Sequence, residues 1–405
     1  MPRIKMSDAA KRAVLIGTLC SVSYLAVYIA RNILGAVSPQ ILEDGIFTTE
    51  NIGKLSSIYF VTYAVGQLIN GMIGDKIKAK YMISLGLILA GICNFLFPVL
   101  SFSMLGTYVV YGMTGFFLSM IYGPMTKVVA ENTEPIYATR CSLGYTFASF
   151  FGSPMAGVLA ALLAWRGVFR ASSATLLTMG VICFAAFTLY EKRGIVTYPK
   201  ITATKGKTGS IRILLKHQIV KFTFVSVITG VVRTTVVFWL PTYLVQYLGF
   251  SSDDSALIFT AATFVISMTT FVAVFLYERL GRNMDLTVLI AFVSASVCFM
   301  AVFLVKHPVL NIVCLVLAIM SSGCAAAMLW SRYCPGLRDT GMVSSATGFL
   351  DFMSYMAASV SSTLFANAVS GIGWKGLILV WFGLMLFGVV VALPYGKLAK
   401  RIPNT

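Results

Sequence analysis

Twelve runs of about 20 apolar residues follow one another along this 405-residue chain, and each, as a helix, is long enough to cross roughly 30 Å of hydrocarbon. No other feature limits the fold so sharply. The runs are read at 14–42, 52–73, 81–99, 105–129, 141–164, 168–189, 219–248, 256–277, 286–305, 310–329, 341–369 and 374–393. With 58% of residues hydrophobic and 11% charged, the chain has the composition of an integral membrane protein. Long apolar/polar alternation is missing, which disfavours a transmembrane barrel. The expected class is an all-α membrane protein of twelve transmembrane helices.

A formal net charge of +17 raises the question of nucleic acid, but the distribution of the charge answers it. Lysine and arginine cluster between apolar runs. With the N-terminus in the cytoplasm, 24 of the 31 basic residues fall on that side, five outside, and two, Arg31 and Arg233, within the membrane. This is the positive-inside pattern, and it predicts that both termini are cytoplasmic, as in a bacterial inner membrane. The bilayer is the expected partner, and no nucleic acid is. Arg3, Lys5, Lys11 and Arg12 precede an apolar run as in a signal peptide, but no clean small-residue cleavage site follows, so the run is read as a retained first span.

The eight cysteines lie almost entirely in the spans and form no CxxC pair, so they read as packing residues, without a disulfide framework or a metal site. His217 and His307 fall in loops. Neither a zinc site nor a histidine-based catalytic cluster can be assembled, and no enzymatic role, metal or cofactor is expected.

Between the sixth and seventh runs the composition breaks: Glu191 to Gln218 carries seven Lys or Arg against one acid, with Gly, Thr and Pro interspersed. This predicts a six-helix bundle over 1–190, a basic cytoplasmic linker over 191–218 and a second six-helix bundle over 219–405. Landmarks recur between the halves. Arg31 and Pro39 map to Arg233 and Pro241 at an offset of 202, Asp75 to Glu278 at 203, and Trp165-Arg166-Gly167 to Trp374-Lys375-Gly376 at 209. Six spans return the chain to its starting side, so the halves are parallel repeats about an axis along the membrane normal.

The two intramembrane arginines are the candidate site. A guanidinium at mid-bilayer depth costs roughly 3 kcal/mol on insertion scales, and it faces a cavity or a partner. Its planar fork meets two phosphate oxygens at once and stays ionised at any working pH. Tyr28 and Asn32 flank Arg31. On the second span Tyr59, Tyr63 and Gln67 share one helical face, able either to line a cavity or to pack. Trp239 and Tyr243, one turn apart, follow Arg233 as a cavity wall or as packing. Lys127 ends the fourth span, either steering anions or snorkelling to the interface. Asp351 and Tyr355 lie one turn apart on the eleventh span; the carboxylate could carry a proton or act as a fixed counter-ion.

Twelve spans in two halves, the Gly71–Lys80 turn with its weaker echo after the eighth span, and the Trp165-Arg166 element resemble the major facilitator superfamily. Within it, Arg31, the stretch Arg233-x5-Trp239-x-Pro241-Thr242-Tyr243-Leu244, and Ala346-Thr347-Gly348-Phe349-x5-Tyr355 resemble the organophosphate:phosphate antiporters. The resemblance implies two pseudo-symmetric six-helix bundles. It also implies that Arg31 and Arg233 bind the phosphate of a sugar phosphate, a glycerol phosphate or free phosphate. Tyr63 matches a family tyrosine and Lys127 a basic position. The chain departs from the bacterial members at Gln67 and Asn32, where they carry lysines, and no histidine occurs between Cys141 and Ala164.

The expected function is exchange of a phosphorylated organic anion with inorganic phosphate by alternating access in a monomer, with Arg31, Arg233, Tyr63, Gln67, Tyr28, Asn32, Trp239 and Tyr355 at the substrate and Asp351 and Lys127 in coupling or charge pairing. Two alternatives stand beside it. One is proton-coupled uptake of a carboxylate or phosphonate through Asp351. The other, of a different class, is a non-transporting sensor of sugar phosphate.

Overall fold

The structure, a computed structural model, describes residues 7–74, 77–198, 214–215, 217–334, 337 and 343–393. Asp75 and Lys76 of the first basic turn, the body of the basic linker from 199 to 213, and both extreme termini lie outside the described residues.

Twelve long helices run through the described residues. They are α1 (Asp8–Glu43), α2 (Thr49–Gly74), α3 (Ala79–Val99), α4 (Met104–Asn132), α5 (Pro135–Leu162), α6 (Trp165–Lys192), α7 (Ile219–Gln246), α8 (Ser252–Arg279), α9 (Met284–Leu304) and α10 (Pro308–Tyr333), then two further helices within Val343–Ala392. These two are separated by a kink at Gly373, whose φ of 69° and ψ of 177° lie outside the helical region, so α11 covers 343–372 and α12 covers 374–392. Hydrocarbon offers the backbone no hydrogen bonds, and a helix satisfies its own. Ends are finished by side chains: Ser7, Ser103 and Asn283 accept from the backbone N–H of Ala10, Gly106 and Leu286. Pro135 and Pro308 open α5 and α10, where a missing N–H leaves nothing unsatisfied.

The chain divides into two compact units, one of residues 1–204 with 251–260, the other of 205–250 with 261–405. In the first, α1 packs on α5 and α6, α2 on α4, and α3 on α4 and α6. In the second, α7 packs on α11, α8 on α10, and α9 on α10 and α12. Shifted by six helices, the main pairings are the same. Short polar side chains stitch the helices together where hydrophobicity alone gives no preference for protein over lipid. Asn70 Nδ2 donates to Ser119 Oγ at 2.7 Å between α2 and α4, and Asn94 Nδ2 to Ser172 Oγ at 3.0 Å between α3 and α6. In the second unit, Ser226 Oγ donates to the Leu350 carbonyl at 2.7 Å between α7 and α11.

The repeated tryptophans perform the same task in each unit. Trp165 Nε1 donates to Asp44 Oδ2 at 2.7 Å, at the end of α1, and Trp374 Nε1 donates to Gln246 Oε1 at 3.3 Å, at the end of α7. Asp44 and Gln246 are themselves 202 positions apart, the offset already seen between the arginines. In each unit the last helix is therefore pinned to the first at the same point.

At the basic end of the first unit, Glu191 of α6 accepts from Lys78 Nζ at 2.6 Å and from Lys80 Nζ, which is buried. Nearby, Asn132 Oδ1 accepts from the backbone N–H of Thr197 at 2.6 Å. The chain leaving α6 is thus fastened to α3 and α4.

Candidate functional site

In the first unit α1 carries Arg31 into a set of rings. The guanidinium carbon lies 5.3 Å from the centre of the Tyr28 ring, 5.4 Å from that of Tyr63 and 5.9 Å from that of Phe60. Tyr63 and Phe60 are buried on α2, and Tyr28 sits one turn before the arginine on its own helix. Ring faces are negative and hold a cation without cancelling its charge, so this surrounding lowers the cost of placing a guanidinium here while keeping it cationic. Asn32 turns back along the helix, its Nδ2 donating to the Tyr28 carbonyl at 2.6 Å. Gln67 lies half-buried one turn beyond Tyr63. Tyr59 is fully buried, stacked on Tyr63 at 6.1 Å and tilted against Tyr111 at 5.2 Å, so it supports the rings around Arg31 from behind.

A second run of rings leads away from Tyr28. Tyr24 lies 4.9 Å from it edge-on, and Tyr122 of α4 and Tyr145 of α5 lie 5.5 and 6.0 Å from Tyr24.

The backbone under each arginine is set by a close helix crossing. A Cβ on Gly152 of α5 would lie 2.7 Å from the carbonyl carbon of Tyr28, so only a glycine lets α5 reach α1 there. In the second unit a Cβ on Gly230 of α7 would lie 3.0 Å from Ser354 Cα of α11. Tyr28 and Gly230 are 202 positions apart, and so are Gly152 and Ser354. Each arginine follows three residues after its crossing.

Arg233 differs from Arg31 in its mount. α1 is α-helical from end to end, whereas α7 widens to a π-helical turn over Val231–Val236. Arg233 is exposed, while Val231, Val232, Thr234, Thr235 and Val236 are buried. Trp239 is fully buried, its Nε1 without a hydrogen-bond partner among the described residues. Tyr243 is also buried and donates through its hydroxyl to Asn311 Oδ1. On α11 Asp351 is half-buried and Tyr355 buried, one turn apart; Lys127 is half-buried on α4.

Of the residues singled out in the sequence, the structure gathers Tyr28, Arg31 and Tyr63 in the first unit, with Asn32 and Gln67 alongside. In the second it sets Arg233 and Trp239 in successive turns of α7. Sequence reading missed Phe60, the Tyr24–Tyr122–Tyr145 rings, the Gly230–Ser354 crossing and the π turn. A signal existed for two of these: Phe60 precedes Tyr63 by three and Tyr24 precedes Tyr28 by four, so each shares a helical face with a residue already chosen.

The profile of the Major Facilitator Superfamily matches residues 20–362. The chain belongs to this superfamily. The family is one of transporters, and the chain is an integral membrane protein of all-α fold. Over 413 residues it is 26% identical to the phosphoglycerate transporter protein of Salmonella typhimurium, with 93% of this chain and 87% of that protein covered. A 74-residue stretch is 36% identical to the membrane sensor protein UhpC of the same organism, spanning 18% of this chain and 17% of the sensor. Among solved structures, it is similar to a bacterial homolog of the human lysosomal transporter Spinster in an inward-facing, occupied conformation. There the TM-score is 0.75 at 15% identity, with 96% of both chains covered, a likeness of fold. With these relatives, the chain is organophosphate:phosphate antiporter-like.

Proposed function

We propose that the protein exchanges a phosphorylated organic anion for inorganic phosphate, and that Arg31 and Arg233 act on the same phosphate group in an alternating-access cycle. The observation that carries this reading is the matched placement of the arginines: each stands three residues after a close, glycine-admitted crossing of its helix with the fourth helix following, at a sequence offset of 202. A duplicated chain that keeps a costly cation at both copies of one position is consistent with a ligand that needs two. A phosphate dianion is such a ligand, since each guanidinium offers paired N–H donors at the spacing of two oxygens. The full-length likeness to a phosphoglycerate transporter supports a phosphorylated substrate.

The rings around Arg31 supply the organic side of recognition. The Tyr28 and Tyr63 rings lie beside the cation and are suited to a short polyol or carboxylate chain attached to the phosphate. With Gln67 and Asn32 in place of further cations, the site carries less positive charge than one built with extra lysines, which favours a substrate of modest total charge. Exchange follows from electrostatics: closing over both guanidiniums with no anion bound would strip water from them, and a bound phosphate offsets that cost. We place both termini in the cytoplasm on the positive-inside pattern and treat the monomer as the working unit.

A counterflow panel tests the reading. Proteoliposomes loaded with phosphate are challenged with glycerol phosphate, hexose phosphates, phosphoglycerate and plain carboxylates. Phosphorylated compounds are expected to drive phosphate out; carboxylates doing so equally well would remove the phosphate site. A second reading, proton-coupled uptake, is favoured by the half-buried Asp351 within a membrane-spanning helix. It predicts uptake that follows an imposed pH gradient and loses that response in Asp351→Asn.

A further inference from the structure

The π turn of α7 matches, residue for residue, a difference in register between α7 and α11. Ser226 Oγ bonds the Leu350 carbonyl at 2.7 Å, and Gly230 lies against Ser354, so both helices advance four residues between these contacts. The next contact is Thr235, whose Oγ1 donates to the Ala358 carbonyl at 3.2 Å and lies 3.0 Å from Ser361 Oγ. From Gly230 to Thr235 is five residues on α7, and from Ser354 to Ala358 is four on α11. One extra residue has been taken up between two fixed contacts, and a π turn is how a helix accommodates one.

That extra residue has a local effect. Five side chains of the turn are buried and only Arg233 is exposed. The widened turn also has buried polar atoms without hydrogen-bond partners among the described residues, Thr234 Oγ1 within it and Trp239 Nε1 one turn on. A lipid-facing guanidinium would be costly, so the exposed face of this turn opens on water or on a ligand.

We propose that the turn Val231–Val236 is a one-residue insertion that aims Arg233 at the transported anion, and that Gly230, Thr235 and Ser354 are positioning residues that keep it in register. The proposal rests on the reading of Arg233 as an anion ligand. Thr235 and Ser354 do not touch substrate; they act through the arginine.

Deleting Thr234 tests it, because the shortened chain can form an ordinary α turn while keeping the contacts at Ser226, Gly230 and Thr235 in register with α11. Two quantities are read on the full chain in proteoliposomes. The first is the rate at which a water-soluble methanethiosulfonate modifies an Arg233→Cys variant, followed on the peptide by mass spectrometry. The second is KM for inorganic phosphate in self-exchange by the arginine-bearing chain. The deletion is expected to slow the modification and raise KM, each by about tenfold or more, the scale of one lost charge-assisted contact. Modification at the undeleted rate would overturn the proposal.

If the shortened chain is not recovered from membranes, Thr235→Val carries the test, since it removes the anchoring hydrogen bonds and keeps the side-chain shape. It is expected to raise KM severalfold beside Arg233 and to leave KM unchanged in an Arg233→Lys background, as for two residues acting through one contact. An equal rise in both backgrounds would make Thr235 merely structural and overturn the proposal. Failure of the underlying reading shows separately, as an Arg233→Ala chain with unaltered phosphate KM.

Discussion

A guanidinium and an ammonium carry the same charge but not the same geometry, and the site's behaviour should turn on that difference. Arg31→Lys and Arg233→Lys replace a planar fork by a point charge, so each is expected to lower phosphate self-exchange by about tenfold or more with the protein still inserted. Retention of wild-type rates by either variant would separate that arginine from the anion. Phe60→Ala removes one of three rings about Arg31; with about 1 kcal/mol for such a contact, phosphate KM should rise severalfold, measured in the same exchange assay. At the basic end of the first unit, the hydrogen bond from Lys78, and then that from Lys80, holds the Glu191 carboxyl below its ordinary 4.5. A depressed folded-state value means stabilisation that is complete above the unfolded value and is lost as pH falls through the folded one. Thermal unfolding in detergent should therefore separate wild type from Glu191→Gln at neutral pH, with the gap closing only on acidification below about pH 4.5. A gap that persisted unchanged into strong acid would count against the pairing. Arg31, Tyr28 and Tyr63 were legible in the sequence because a charge inside an apolar run and a one-turn spacing are both local signals. Phe60 shares the Tyr63 face of α2, but an apolar ring within an apolar run carries no signal of its own that it meets a cation.

Between elements, a few contacts are repeated in both units. Gly152 admits α5 against Tyr28, and any larger side chain must push the helices apart under Arg31. Gly152→Val is expected to lower stability by about 1–3 kcal/mol, read as a lower midpoint of thermal unfolding, with phosphate KM raised as well. Trp374→Phe keeps the ring but removes the indole donor to Gln246, at a cost of about 1 kcal/mol, and Trp165→Phe should cost at least as much, since Asp44 is charged. The recurrence of Trp-basic-Gly was visible in the sequence. What the tryptophans do was not, because their partners Asp44 and Gln246 differ in type and are related only by position. Helix identity was legible from apolar length alone. The π turn was invisible for a physical reason: one extra residue inside an apolar run changes neither hydropathy nor length enough to register, and only the α11 contacts on either side reveal it. The break at Gly373 coincides with the gap between the eleventh and twelfth apolar runs, where the helix direction changes with almost no intervening loop.

For the molecule as a whole, duplication explains why one chain holds two equivalent cations. Each unit brings one arginine on its first helix, braced by the fourth helix after it and closed by a tryptophan-led sixth. Membership of the superfamily accounts for the architecture, and the arginines account for the proposed cargo. The units are not copies in detail: rings surround Arg31, whereas a π turn displays Arg233. Both cations are proposed to share one phosphate, with the empty site resisting closure. Efflux of labelled phosphate from preloaded proteoliposomes, with and without an external anion, is the decisive assay. Fast efflux is expected when phosphate or an organophosphate is present outside and little in its absence. Efflux equally fast into anion-free medium would overturn the proposal.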